Sequence, residues 1–143
     1  MPAFDHDLVI IGAGPAGLTA GLYAARARLN VLLIEKAVPG GQIIVTDWIE
    51  NYPGFPEGIS GFDLAEKMKN QAEAFGLKME TAEVHSLNLT PDVKEVVLQE
   101  KTIKAKSLII ASGASPKKLG IGEDRYMGKG SSFCATCDAP LCE

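Results

Sequence analysis

The segment Gly12-Ala13-Gly14-Pro15-Ala16-Gly17 constrains the fold more than any other part of the chain. It follows the uninterrupted apolar run Leu8-Val9-Ile10-Ile11, which reads as a strand buried on both faces of a parallel sheet. After it, residues Leu18 to Leu29 are rich in Ala, Leu and Arg without internal proline, which predicts a helix. Asn30 ends that helix, and Val31-Leu32-Leu33-Ile34-Glu35 forms a second apolar strand. The result is a βαβ unit with a Gly-x-Gly-x-x-Gly turn between its first strand and its helix. Such glycines permit a tight turn, a close approach of backbone to a diphosphate, and close packing of helix on strand. Exposed amides and the positive end of the helix dipole then favour an anion. Glu35 ends the second strand, where a carboxylate can accept hydrogen bonds from ribose hydroxyls, with Lys36 beside it. The arrangement predicts an adenine dinucleotide, with FAD and NAD sharing the motif. The acid disfavours the extra ribose phosphate of NADP at this position, because like charges would meet.

Composition narrows the class further. With 46% apolar and 22% charged residues, the 143-residue chain has enough apolar side chains for one globular core. Fourteen basic against 18 acidic residues give a net charge of −4 with no basic stripe, which argues against a nucleic-acid partner. No apolar run approaches a membrane span, and the first residues lack the pattern of a signal peptide, so no membrane partner and a cytoplasmic location are expected.

Between Lys36 and Gly61 the periodicity is lost and Pro39, Gly40, Gly41, Pro53, Gly54, Pro56 and Gly58 accumulate, a loop long enough to be functional. Asp63 is the expected cap of a second helix with Leu64, Met68, Ala72 and Phe75 on its core face and Gly76 at its end. Short β segments follow at Lys78–Val84, Ser86–Thr90, Glu95–Gln99 and Thr102–Ala105, reading as an antiparallel meander laid over the parallel sheet. Ser107-Leu108-Ile109-Ile110-Ala111 is a further apolar strand, ended by Ser112-Gly113-Ala114-Ser115-Pro116. The predicted class is α/β, a parallel-sheet Rossmann-like domain with an antiparallel β meander.

All three cysteines lie in the last ten residues, two of them in Cys134-Ala135-Thr136-Cys137-Asp138. Thiols separated by two residues can form and exchange a disulfide, a neighbouring acid can move the proton, and a helix start would favour the thiolate. The competing zinc reading needs two more ligands; His6 and His85 are isolated and Cys142 is poorly spaced, so no metal is expected.

Together, Ile10-Ile11-Gly12-Ala13-Gly14-Pro15-Ala16-Gly17, Gly40-Gly41-Gln42, Glu50-Asn51-Tyr52-Pro53-Gly54, Ile110-Ala111-Ser112-Gly113-Ala114 and Cys134-Ala135-Thr136-Cys137-Asp138 resemble the low-molecular-weight thioredoxin reductases in order and spacing. Peroxiredoxin-reductase flavoproteins and ferredoxin-dependent thioredoxin reductases share the pattern. The resemblance implies FAD, with its pyrophosphate on Gly12, Gly14, Pro15, Ala16 and Gly17 and its adenosine ribose on Glu35 and Lys36. It places Gly40, Gly41, Gln42, Thr46 and Asn51 around the flavin, Val84 near the adenine, and Ala111, Ser112 and Gly113 at a further contact, with Ser112 where the family usually has Thr. Trp48 and Tyr52 read as loop packing more than as flavin-stacking rings. Electrons would pass from NAD(P)H to FAD, then to the disulfide of Cys134 and Cys137, then to a thioredoxin-like dithiol protein. Cys137 would lie nearer the flavin, Cys134 would attack the partner, and Asp138 would protonate the leaving thiolate. A homodimer is the usual family assembly.

Family chains are about twice this length and carry a second glycine motif after the CxxC, followed by a segment that returns to the FAD domain. Neither occurs in this sequence, so the nicotinamide site is absent from it. The expected division is an incomplete FAD-binding domain at 1–114 and, at 115–143, a linker with the truncated start of a redox and pyridine-nucleotide domain. Incomplete flavin cover predicts substoichiometric FAD. The alternatives are an FAD-binding fragment without turnover and a reductase fed by a separate donor such as ferredoxin.

Overall fold

The computed structural model describes residues 3–126 and 129–133. Cys134, Cys137 and Asp138 lie outside the described residues. The chain divides into two compact units, residues 1–113 and 114–143.

In the first unit, β1 (His6–Ile11) is the central strand, with Leu8, Val9 and Ile10 buried. It pairs in parallel with β2 (Val31–Glu35) on one side and β6 (Thr102–Ile110) on the other. β3 (Lys78–Thr81) adds in parallel to β2. β4 (Ser86–Leu89) and β5 (Lys94–Val97) continue antiparallel from β6, giving the order β3-β2-β1-β6-β5-β4. Burial on both faces accounts for the unbroken apolar runs of β1 and β2. On one face, Leu8, Ile10, Val31 and Leu33 pack with Leu18, Ala24 and Ala72 from two helices. On the other, Val9, Leu32 and Ile34 pack with Val96, Leu98, Ile103 and Ala105. The antiparallel strands therefore lie over the sheet as expected, while remaining hydrogen-bonded to it through β6.

In the sheet and the first helix, three expectations change. The segments expected at Thr102–Ala105 and Ser107–Ala111 form one nine-residue strand, because the parallel pairing with β1 runs on from Ala105 opposite His6 to Ile110 opposite Ile11, with exposed Lys104 and Lys106 facing away from buried Ile103 and Ala105. β3 belongs to the parallel sheet and not to the meander, and ends at Thr81, where the Ala82 N–H donates to the Glu35 carbonyl at 3.0 Å. The first helix, α1 (Pro15–Arg26), starts and ends three residues earlier than expected. Pro15 suits the first helical position because its missing N–H would have no partner there. At the other end, Arg28 adopts φ 60°, its N–H donates to the Ala25 carbonyl at 2.9 Å, and the Leu29 N–H donates to the Ala24 carbonyl at 3.2 Å, a left-handed stop normally given to glycine.

The second helix, α2 (Gly61–Ala74), is capped by Ser60 and not by Asp63. The Ser60 hydroxyl accepts from the Asp63 N–H at 3.0 Å and donates to the Asp63 carboxylate at 2.7 Å, so Asp63 is the reciprocal partner inside the first turn. Ser60→Ala should cost about 1 kcal/mol of stability, read from the urea midpoint at constant m-value. Leu64 and Ala72 are buried and Met68 packs against the core. Phe75 is instead 49% exposed, with the Arg26 guanidinium 5.3 Å from its ring centroid. It follows the last helical turn, where the chain has left the core-facing stripe, and Gly76 closes the element at φ +92°.

At the amino-terminal edge of the sheet, Asp7 accepts from Lys106 Nζ at 2.6 Å and from the Asn30 N–H at 2.9 Å. The Lys106 hydrogen bond, followed by that of the Asn30 amide, holds the Asp7 carboxyl below its ordinary pKa. This network lies at the opposite edge from the glycine turn. In the second unit, the Glu123 carboxylate accepts from the Gly120 N–H at 3.1 Å and the Ile121 N–H at 3.0 Å, and also from Leu119. Its own backbone amide, together with these three, holds it below the ordinary carboxylate range against the opposing effect of burial.

Candidate functional site

The carboxyl ends of β1, β2 and β6 converge on one place. The chain leaves β1 toward β2 on one side and has β6 on the other, the kind of strand-order reversal where α/β sheets hold ligands. Gly12 opens the turn with φ +100°, and its N–H donates to the Ile34 carbonyl at 2.8 Å. A Cβ on Gly12 would fall 2.8 Å from the Ala111 carbonyl carbon and still nearer its oxygen. A Cβ on Gly17 would land on the Gly12 carbonyl. Strand end, turn and helix thus approach at a distance that only hydrogen side chains allow, and Gly12, Gly17 and Ala111 are brought together. Ala111 is fixed there by its N–H on the Ile11 carbonyl at 2.8 Å, with Ser112 and Gly113 following directly.

Gly14 caps α1, and Pro15 occupies its first turn. The first bond of the helix ladder runs from the Leu18 N–H to the Gly14 carbonyl at 2.9 Å, which leaves the Ala16 and Gly17 amides outside that ladder. Ala16 is exposed at the mouth of the turn.

Glu35 reaches the same turn from β2. Its Oε2 accepts from the Ala13 N–H at 2.7 Å, and its Oε1 accepts from the Ala37 N–H at 3.1 Å. Lys36 is exposed beside it. The segment holding Val84 is tied to the end of β2 through Ala82, and both side chains pack against the second core.

The loop after β2 returns to the turn. The Gly40 N–H donates to the Ala13 carbonyl at 2.8 Å, and a Cβ on Gly41 would lie 3.2 Å from Gly14 Cα. Gln42 sits in the short helical turn Gly41–Val45, and Thr46 ends it, accepting from the Gly61 N–H at 3.0 Å. Ile49 and Ile59 then bridge antiparallel, and Asn51 lies beyond that bridge on the exposed outer part of the loop. Gly40 and Gly41 therefore touch the glycine turn directly, whereas the described contacts do not tie Asn51 to it. Trp48 lies over Gly58, whose Cβ would sit 2.7 Å from the indole Cε2, and the Tyr52 and Phe55 rings pack at 6.1 Å. Both aromatics are engaged within the loop.

Two residues have roles at this site that their sequence motifs do not specify. Ala13 is fully buried with both backbone groups bonded, and only its place between two glycines hints at that crowding. Gly61 closes the loop where a Cβ would strike the Ile43 carbonyl, a contact set by tertiary packing. Among the described residues no group of three or more His, Cys, Asp or Glu could hold a metal, and no helix is long and apolar enough to cross a membrane.

Residues 6–141 match the family described as pyridine nucleotide-disulphide oxidoreductase. A thioredoxin reductase from Treponema pallidum is 46% identical over 138 residues, covering 96% of this chain and 45% of that protein. Solved thioredoxin reductases from Streptococcus pyogenes (TM-score 0.85, 44% identity, 95% of this chain and 44% of that one) and Lactococcus lactis (0.80, 43%, 96% and 45%) share its fold. The chain spans less than half the length of these relatives and matches their N-terminal half.

Proposed function

Since this chain belongs to the pyridine nucleotide-disulphide oxidoreductase family, we propose that it is the FAD- and dithiol-bearing part of a thioredoxin reductase-like flavoenzyme. The observation that carries the proposal is the crowding of Gly12, Gly17 and Ala111 beside Glu35. Packing of strand end on helix that no Cβ would permit brings the free amides at the helix start up against the turn, where nothing lies nearer than 3.9 Å to a Cβ position on Gly14. This suits a diphosphate drawn onto backbone amides.

FAD, when bound, supplies a two-electron carrier between a nicotinamide and a disulfide. The chain's own residues bind and orient it. Gly12, Gly14, Pro15, Ala16 and Gly17 admit the pyrophosphate, with the Ala16 and Gly17 amides as donors. Glu35 accepts from the adenosine ribose with Lys36 alongside, and Val84 offers backbone near the adenine. Gly40, Gly41, Gln42, Thr46 and Asn51 border the flavin, and Ala111, Ser112 and Gly113 close the site beside β6. Residues 1–114 make up this domain, and 115–143 supply a linker and the start of a redox and pyridine-nucleotide domain that carries Cys134, Cys137 and Asp138.

At the redox segment the Cys134 thiolate attacks one sulfur of the partner's disulfide. A Cys134–partner bond forms, the partner's S–S bond breaks, and the leaving thiolate takes a proton from Asp138. Cys137 then attacks Cys134, releasing the second partner thiolate and leaving Cys134 and Cys137 as a disulfide. The partner gains two electrons and the pair loses two, and returning them is the chemistry that FAD held by this chain would supply from NAD(P)H. A thioredoxin-like dithiol protein as substrate and a cytoplasmic homodimer as the working form complete the reading.

The test is anaerobic. Protein supplied with FAD is reduced with a slight deficit of dithionite, which needs no nicotinamide site, and reoxidation of the flavin is followed together with thiol release from oxidised thioredoxin. Flavin reoxidation coupled to thiol release supports the proposal. Bound, reduced flavin that releases no thiol overturns the enzymatic reading in favour of an FAD-binding unit, and reduction of the flavin by a reduced iron–sulfur protein in place of dithionite would name the donor.

A further inference from the structure

The carboxylate of Glu35 bonds two backbone amides of the protein itself, those of Ala13 at 2.7 Å and Ala37 at 3.1 Å. Ala13 is fully buried, and its carbonyl is taken by the Gly40 N–H at 2.8 Å. The turn is therefore held at its second residue from two directions, by the end of β2 and by the loop that follows it. Ala13 is flanked by Gly12 and Gly14, which impose little conformational restraint of their own. Without the carboxylate, the Ala13 N–H would be a buried donor lacking its partner, and the turn would have to shift to satisfy it.

We infer that Glu35 is a positioning residue for the diphosphate turn, acting through the Ala13 amide, in addition to any contact it makes with a ribose. A carboxylate has about four lone-pair sites, so accepting from two amides leaves capacity for ribose hydroxyls. One side chain then links the ribose end and the phosphate end of a bound adenosine diphosphate group. Shape is set before the ligand arrives, which lowers the ordering cost of binding. The inference rests on reading this turn as an adenine-dinucleotide site.

A ribose contact and a turn support differ in what they do to a ligand without ribose hydroxyls. The test measures binding of ADP and of a dideoxy analogue lacking both hydroxyls to the wild-type chain and to Glu35→Ala, which leaves no side-chain acceptor for the Ala13 N–H, by calorimetry. A positioning role weakens the dideoxy analogue in Glu35→Ala by about fivefold to tenfold, and ADP by more. In the protein without nucleotide, the Ala13 amide should exchange its hydrogen about tenfold faster in the variant, while the Val9 and Leu33 amides of the core are unchanged. A general loss of stability would move all three amides together. Equal binding of the dideoxy analogue by both proteins, or an unchanged Ala13 amide, overturns the inference and leaves Glu35 as a ribose contact. Wild-type protein that binds neither nucleotide is a separate outcome, which removes the dinucleotide reading and the inference with it. Should Glu35→Ala not fold, Glu35→Asp carries the same test, because a carboxylate shortened by one methylene draws back from the Ala13 amide that Glu35 reaches at 2.7 Å.

Discussion

Gly17→Ala should lower the affinity for FAD by about a hundredfold and destabilise the chain by about 2–3 kcal/mol. The added methyl would land on the Gly12 carbonyl, inside the contact that joins α1 to the end of β1. Gly17 is buried and the obstructing atom is backbone, so no flexible side chain can swing aside. Relief requires α1 to slide or tilt, which carries the Ala16 and Gly17 amides away from the phosphate position. Flavin fluorescence during FAD titration reads the affinity, and the urea midpoint reads the stability. Unchanged affinity with unchanged stability would mean that the close approach of helix and turn has no role in binding.

Cys137→Ser should convert transient disulfide exchange into a stable covalent complex with an oxidised dithiol partner. Cys134 can still attack, but the thiol that resolves the mixed disulfide is gone. Non-reducing electrophoresis of reduced variant mixed with oxidised thioredoxin should show a species of the summed mass, which disappears with dithiothreitol. Cys134→Ser should give none, and either variant should abolish turnover. Trapping by Cys134→Ser alone would exchange the roles of the two thiols. No trapping by either would separate this CxxC from disulfide exchange.

Much of the fold is legible in the sequence, for a physical reason. Strands buried on both faces must be apolar throughout, so β1 and β2 stand out from Leu8 and Val31 onward, and the glycines between them mark the turn. Local punctuation is read less well. Ser60 and Asp63 are both good capping residues three apart, and only the folded chain decides which stands outside the helix. Arg28 in a left-handed stop has no signature, because tertiary packing imposes what glycine would adopt freely. β6 looks like two strands because its lysines interrupt the apolar run, although they simply face outward.

The candidate site divides in the same way. Gly12, Gly17 and Glu35 declare themselves by spacing, and the structure places them together. Ala111 is marked in the sequence only as part of a family motif and Ala13 only as the residue between two glycines; that they hold the turn and Glu35 is set by crowding in space. Cys134, Cys137 and Asp138 are legible as chemistry in the sequence and lie outside the described residues.

The central claim, that the turn between β1 and α1 holds an adenine dinucleotide, is tested most directly by titrating the purified chain with FAD and following flavin fluorescence, with ADP as competitor. The expected result is saturable binding that ADP displaces and that Gly17→Ala weakens about a hundredfold. A chain with a cooperative urea transition that shows no saturable binding, or binding untouched by both ADP and Gly17→Ala, would contradict it.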